Sequence, residues 1–212
     1  IANFFVLLAM RRVISLRSQR QTVKKIFDAS LWIFVASLFY FWSVLFLVFV
    51  FAGIFLHVRQ NIKYWLVPFL SFLTIVSLAS CAELYYTDSF YTFSEWFQES
   101  NFDFTPYGNL EILVPVSLLL ALMIWCSFHY MGILQKASAN IRASHTLIFW
   151  ALLISLTVAV FAPTKNSSEL FFFLAPLSIV ATNYLQVLDD RWFKEILLFL
   201  IPALPLMVWL FF

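Results

Sequence analysis

The chain has little of what a water-soluble domain needs. Charged residues make up 11% of its 212 positions, against about 25% in ordinary soluble domains. Glycine occurs three times and forms no GxxxG pair, so close packing of small-residue helix faces is not indicated. The two cysteines, Cys81 and Cys126, lie in apolar runs at different expected depths. A disulfide needs Cα atoms within about 7 Å, so both read instead as small buried hydrophobes. Basic residues are absent between Lys63 and Lys136. Nothing carries a nucleic-acid signature, and no nucleic-acid partner is expected.

What is present is apolar. Hydrophobic residues fill 63% of the chain and phenylalanine alone takes 27 positions, with a mean hydropathy of +0.92. The charges sit in short clusters between apolar runs, the pattern of an all-α, polytopic transmembrane helical bundle whose first partner is the lipid bilayer. Those runs cover 31–57, 64–82, 112–131, 146–162, 170–188 and 196–212. The opening IANFFVLLAM is too short to span before Arg11 and Arg12. It lacks the flanks of a signal peptide and reads as the tail of a helix that starts upstream. A single transmembrane domain over 1–212 is expected, with no linker and with bulky side chains filling the helix interfaces.

The run 31–57 decides the topology. The segment 11–25, with Arg11, Arg12, Arg17, Arg20, Lys24 and Lys25, is taken as cytoplasmic. If 31–57 is one span, alternation leaves Arg59, Lys63, Lys136, Arg142, Arg191 and Lys194 outside, a split of 7:6. If it is a hairpin of two short helices, those six join the first six inside and only Lys165 is outside, a split of 12:1. The positive-inside rule favours the hairpin. Length favours one tilted helix of about 40 Å. A turn at membrane depth must be buried in protein, and SLFYFWS offers only the hydroxyls of Ser37, Tyr40 and Ser43, with no glycine or proline.

The hairpin version places the acidic loop 83–111 on the periplasmic side of a bacterial inner membrane. The loop carries Glu83, Asp88, Glu95, Glu99, Asp103 and Glu111. Phe90, Phe93, Trp96 and Phe97 fall at helical spacing, so an interfacial amphipathic helix is expected near 89–101. Pro106, Gly108 and Asn109 predict a turn before the next span. These acids are candidates for acid/base or metal chemistry, set against the simpler reading of solvated acids under an aromatic belt. Their spacing matches no metal loop, and neither metal nor cofactor is expected.

Other polar residues sit at boundaries. His57 reads as interfacial and solvated; His129 closes one span and His145 precedes another. None has metal-ligand spacing. Thr182, Asn183 and Gln186 form the most polar intramembrane group, with hydrogen bonding between helices as their ordinary role. No Lys or Arg lies inside a span, which argues against a pump or coupled transporter.

Two resemblances follow from longer stretches. NFFVLLAMRRVISLRS, FDASLWIFVASLFYFWSVLFLVFVFAGIFLHVR and FDFTPYGNLEILVPV resemble an uncharacterised family of polytopic inner-membrane proteins of Bacteroidota. More distantly, a basic-ended helix, short-helix hairpin, span and outer loop resemble the GT-C membrane glycosyltransferases. SELFFFLAPLSIVATNYL, with Pro176, is similar to a late span of that superfamily. The basic residue that there meets a lipid phosphate is Glu169 here; Lys165, four residues earlier, is the substitute candidate. The resemblance places the superfamily's catalytic carboxylate in a first outer loop upstream of Ile1.

These readings rank three functions. First is a non-catalytic subunit or scaffold of a cell-envelope assembly, with other membrane-protein subunits as partners. Second is a GT-C-type transferase using a polyprenyl-phosphate sugar at the outer face, with Lys165 on the phosphate. Third is a lipid or solute transporter, which inverted repeats would favour; the sequence shows no convincing repeat.

Overall fold

The computed structural model describes residues 1–58, 61–88, 96–136, 138–165, 168–187 and, singly, 192, 194, 195 and 199. Among them the fold is all-α, with seven helices. Four segments are long and apolar enough to cross a membrane: Lys63–Tyr86, Ile112–Gly132, Ile141–Phe161 and Ser168–Val187. The expected run 196–212 and the residues Arg59 and Arg191 lie outside the described residues.

Helix α1 spans Ala2–Ile14. Its buried residues Ala2, Val6, Ala9 and Val13 recur every three or four positions and so share one face. Arg11 and Arg12 close its last turn, where positive charge complements the helix dipole. Arg12 reaches Asp28 of the next helix at 3.2 Å. The turn between them, a 3-10 segment Ser15–Ser18, is held by Lys25. Its ammonium donates to the Ser15 carbonyl at 2.6 Å and the Ser18 hydroxyl at 2.5 Å.

The run 31–57 is not one helix. Helix α2, Thr22–Phe39, stops at Tyr40, which is extended at φ −151° and ψ 105°. A 3-10 segment Phe41–Leu45 follows, then α3, Phe46–His57. Had α2 continued, the Phe41 N–H would have met the Ser37 carbonyl. Instead the Trp96 indole N–H donates to that carbonyl at 2.8 Å. The hydroxyls of Ser37 and Ser43 return to the Phe34 and Tyr40 carbonyls at 2.7 and 2.8 Å, local bonds that compete with a continuous helix. The far end of α3 comes back to the start of α2. Gln19 donates to the His57 carbonyl at 3.4 Å. Gly53 lies so close to α1 that an added Cβ would overlap Val13 Cγ1 and touch Leu16.

Helix α4, Lys63–Thr87, packs on α2 through the Ser71 hydroxyl, which donates to the Phe27 carbonyl at 3.2 Å, and through Phe72 against Phe34. Helices α5, Leu110–Lys136, α6, Ala139–Phe161, and α7, Phe171–Val187, complete the bundle. Helix α6 is shared between two cores. Leu147, Ala151, Ile154 and Val158 join the core of α1, α2 and α3. Its neighbouring face, Ile148 and Leu152, joins Cys126, Tyr130, Phe173, Leu177 and Val180. Helix α5 is peripheral: only 6% of its apolar window is buried within the chain.

The bundle has two unlike ends. At one end gather Arg12, Lys25, Gln19 and His57, with Arg142 donating to the Gln135 carbonyl at 3.0 Å where α5 meets α6. At the other lie the α2–α3 break, Trp96, Tyr107, the end of α6 and the start of α7.

Three expectations are corrected. Cys126 is buried but Cys81 is exposed, on the outer side of α4. Residues 97–104 are not helical, so a helix does not reach 101; residues 89–95 lie outside the described ones. The reason is local: Asn101 Oδ1 accepts from the Asp103 N–H at 2.9 Å, and Asp103 Oδ1 from the Thr105 N–H at 3.0 Å. Such side-chain turns replace helical bonds. His57 is half-buried rather than solvated, with Nδ1 3.3 Å from the Gly53 carbonyl.

Candidate functional site

A cleft of about 590 Å3 opens where α1 begins, α2 ends and α7 begins. Asn3 contributes from the first turn of α1, Tyr40 from the helix break, and Glu169 from the 3-10 turn Ser168–Leu170. Phe39, Phe171 and Phe172 line its apolar sides, and Ile1 and Ala2 its rim. This volume lies within the usual range for small-molecule sites.

Glu169 is the chemical centre. It is the only acid between Glu111 and Asp189, and just 2% of it is exposed. Its Oε1 accepts from the Tyr107 hydroxyl at 2.5 Å, tying the loop before α5 to the start of α7. Its Oε2 is buried with no hydrogen-bond partner among the described residues. Asn3 Oδ1 and the Tyr40 hydroxyl are in the same condition. Asn3 is oriented by its amide N–H, which donates to the Phe171 carbonyl at 2.9 Å. Tyr40 is oriented by stacking on Phe172, with centroids 5.4 Å apart. A buried polar atom without a partner costs about 1–3 kcal/mol, and the three belong to residues that border the same cleft.

Lys165 stands beside this centre but does not line the cleft. It is 5% exposed. Its Nζ donates to the Ala159 and Val160 carbonyls at 2.8 and 2.6 Å, and sits 4.9 Å from the Phe104 ring centroid. Two otherwise unpaired carbonyls of the last turn of α6 are thereby satisfied. Burial holds the Lys165 ammonium below the usual lysine range, with the charge of Glu169 opposing the shift. Burial also raises the Tyr107 phenol above its ordinary value, and the hydrogen bond to Glu169 and that carboxylate's charge add to it.

The other candidate residues are dispersed. Glu83, Asp88, Glu99 and Asp103 lie along the loop end without converging on the cleft; Asp88 takes the left-handed φ of 52° that ends α4. Asp103 is exposed, and its hydrogen bonds with Thr105 hold its carboxyl below the usual range. Phe90, Phe93 and Glu95, and the side chain of Glu111, lie outside the described residues. Trp96 and Phe97 pack on Phe41, at centroid distances of 5.2 and 5.0 Å. Thr182 and Gln186 are exposed. Thr182 bonds its own helix, at the Ser178 carbonyl, rather than a neighbour, and Asn183 is half-buried beside it. The Tyr130 hydroxyl lies 2.6 Å from His145 Nδ1.

Sequence reasoning named Glu169 only as a departure and Tyr40 only as a turn hydroxyl. Asn3 and Tyr107 went unnoticed. The readable signal was Glu169 itself, a lone acid at the mouth of an apolar run. Its partners come from positions far apart in the chain and carry no spacing.

A family model described as a family of unknown function (DUF6427) matches residues 1–212. The chain belongs to that family. No curated protein matches the chain, and no solved structure does.

Proposed function

We propose that this member of the family of unknown function is a non-catalytic integral subunit, or scaffold, of a cell-envelope assembly in the bacterial inner membrane. In this reading α2 and α3 form a re-entrant hairpin with a GT-C-like layout. The segment 11–25 is cytoplasmic and the loop 83–111 periplasmic.

The observation that carries the reading is the pairing of Gln19 with the His57 carbonyl, together with the Trp96 bond to the α2 break. The first sets the end of α3 beside the turn that precedes α2. The second supplies, from protein, the partner that lipid cannot give a turn at depth. In this reading every basic residue except Lys165 falls on one side, as the positive-inside rule asks. The scarcely covered face of α5 suits lipid and neighbouring subunits.

Single cysteines at positions 20, 61 and 103, in a protein with Cys81 and Cys126 replaced, test the topology. Labelling by a membrane-impermeant reagent is expected at 103 alone in intact cells. Labelling of 61 but not 20 would remove the hairpin. Purification from native membranes tests the subunit role, with stoichiometric co-purifying membrane proteins expected. A protein that always isolates alone and transfers sugar by itself sinks it.

A further inference from the structure

We propose that the groove between the start of α2 and the start of α4 holds an anionic phospholipid, its phosphate among Arg20, Lys24 and Lys63. The proposal goes beyond the subunit role and needs neither a partner subunit nor a choice of leaflet.

Residues 1–82 carry eight basic side chains and one acid, Asp28. Arg12 already engages that acid at 3.2 Å. Arg20, Lys24 and Lys63 are exposed and make no ion pair among the described residues. The next acid in the chain is Glu83, toward the far end of α4. On a helix it lies about 30 Å from Lys63, well beyond the screening length of about 8 Å. The fold therefore leaves this group of cations without a counter-charge, and a phosphate supplies one through charge-assisted hydrogen bonds.

The groove, of about 660 Å3, sits beside these cations. Lys24 lines it, Arg20 lies between the lining residues Gln19 and Gln21, and Lys63 adjoins the lining residue Tyr64. Further along the helices the lining becomes Phe27, Val67 and Leu70. Tyr64, Val67 and Leu70 recur every three residues and share one face of α4. Tyr64 and Leu70 are about 9 Å apart along the axis, so the lining passes from cationic to apolar within that distance.

This gradient follows a glycerophospholipid from its phosphate to its acyl chains. A free phosphate would leave the apolar stretch unused. Leu70 is 58% exposed, and Leu66 and Phe69 near it are exposed as well, so the groove runs out onto a surface suited to hydrocarbon. A zwitterionic headgroup brings its own cation, which Arg20, Lys24 and Lys63 repel. The occupant is therefore an anionic lipid.

The experiment follows thermal unfolding of the intact protein in neutral detergent as lipid is added. Dioleoyl phosphatidylglycerol and dioleoyl phosphatidylcholine share their acyl chains and differ in headgroup charge. The unfolding midpoint should rise by several degrees with the first and scarcely at all with the second. Added salt should shrink the rise. Arg20→Gln with Lys24→Gln should weaken the apparent affinity about tenfold or more. Arg11→Gln with Arg17→Gln removes equal charge from residues that do not line the groove, and should weaken it much less. Leu70→Ser should also weaken the lipid, and glycerol phosphate, the soluble fragment, should give no rise. If the Arg20 and Lys24 double variant fails to fold, Lys63→Gln against Arg11→Gln makes the same comparison. Equal rises with the two lipids overturn the proposal. Equal losses in the two double variants do so too, as does a rise with glycerol phosphate that matches the lipid's.

Discussion

The Trp96 indole N–H donates to the Ser37 carbonyl at 2.8 Å across 59 positions of sequence. It meets the one carbonyl that the end of α2 would otherwise have paired with the Phe41 N–H. Ser37 is itself 1% exposed, so water is not a ready substitute. The polar loop and the apolar helix break are thus a single device.

Trp96→Phe should keep the ring contacts with Phe41 and Phe72 but lose this donor. A buried carbonyl left without a partner costs about 1–3 kcal/mol. A lowered unfolding midpoint is expected, with faster amide exchange concentrated at 37–45. Unchanged exchange there would detach the loop from the break.

Gly53 should resist substitution where another helical glycine does not. A Cβ at Gly53 meets Val13 Cγ1 and Leu16 Cδ1, and overpacking costs about 1–3 kcal/mol. Around Gly132 nothing lies within 4 Å, and alanine is the better helix former by up to about 1 kcal/mol. Gly53→Ala should therefore lower the unfolding midpoint, and Gly132→Ala should leave it or raise it.

Lys165→Met separates two uses of the ammonium. As a cap on Ala159 and Val160, its loss should destabilise by about 1–3 kcal/mol, equally in zwitterionic and anionic nanodiscs. A lipid-phosphate role instead makes the loss larger in the anionic ones.

The Tyr107–Glu169 bond carries a pH dependence. The Tyr107 phenol is raised above its ordinary 10.0 by burial and by Glu169. A raised value means that the folded state holds the proton more tightly. Its contribution is complete below pH 10 and falls away as pH rises through the folded-state value. The stability difference between wild type and Tyr107→Phe should be flat from about pH 6 to 9 and shrink above about 10. A difference that grows with alkali would contradict the assignment.

Much of the fold is legible from apolar spacing. The runs that begin at 64, 112, 146 and 170 each fall on a helix, Lys63–Thr87, Leu110–Lys136, Ala139–Phe161 and Phe171–Val187, because in lipid every backbone group must be paired within its own segment. The charge count singled out 31–57 as the decision point. The middle of that run, SLFYFWS, was the expected turn, and the helix breaks within it, at Tyr40, although no glycine or proline marks the residue. The acids of the loop drew attention by number, yet Glu99 and Asp103 are exposed.

The sequence by itself determined the class: an all-α chain with helices fit for a membrane and its basic and acidic residues segregated. That information is local, written in runs long enough to cross and in charges too costly to bury unpaired. Only the tertiary structure decided at which residue the longest run breaks and which acid is buried. Both depend on contacts between residues far apart in the chain, Trp96 with Ser37 and Tyr107 with Glu169. No periodicity records such contacts, because they exist only once the helices have packed.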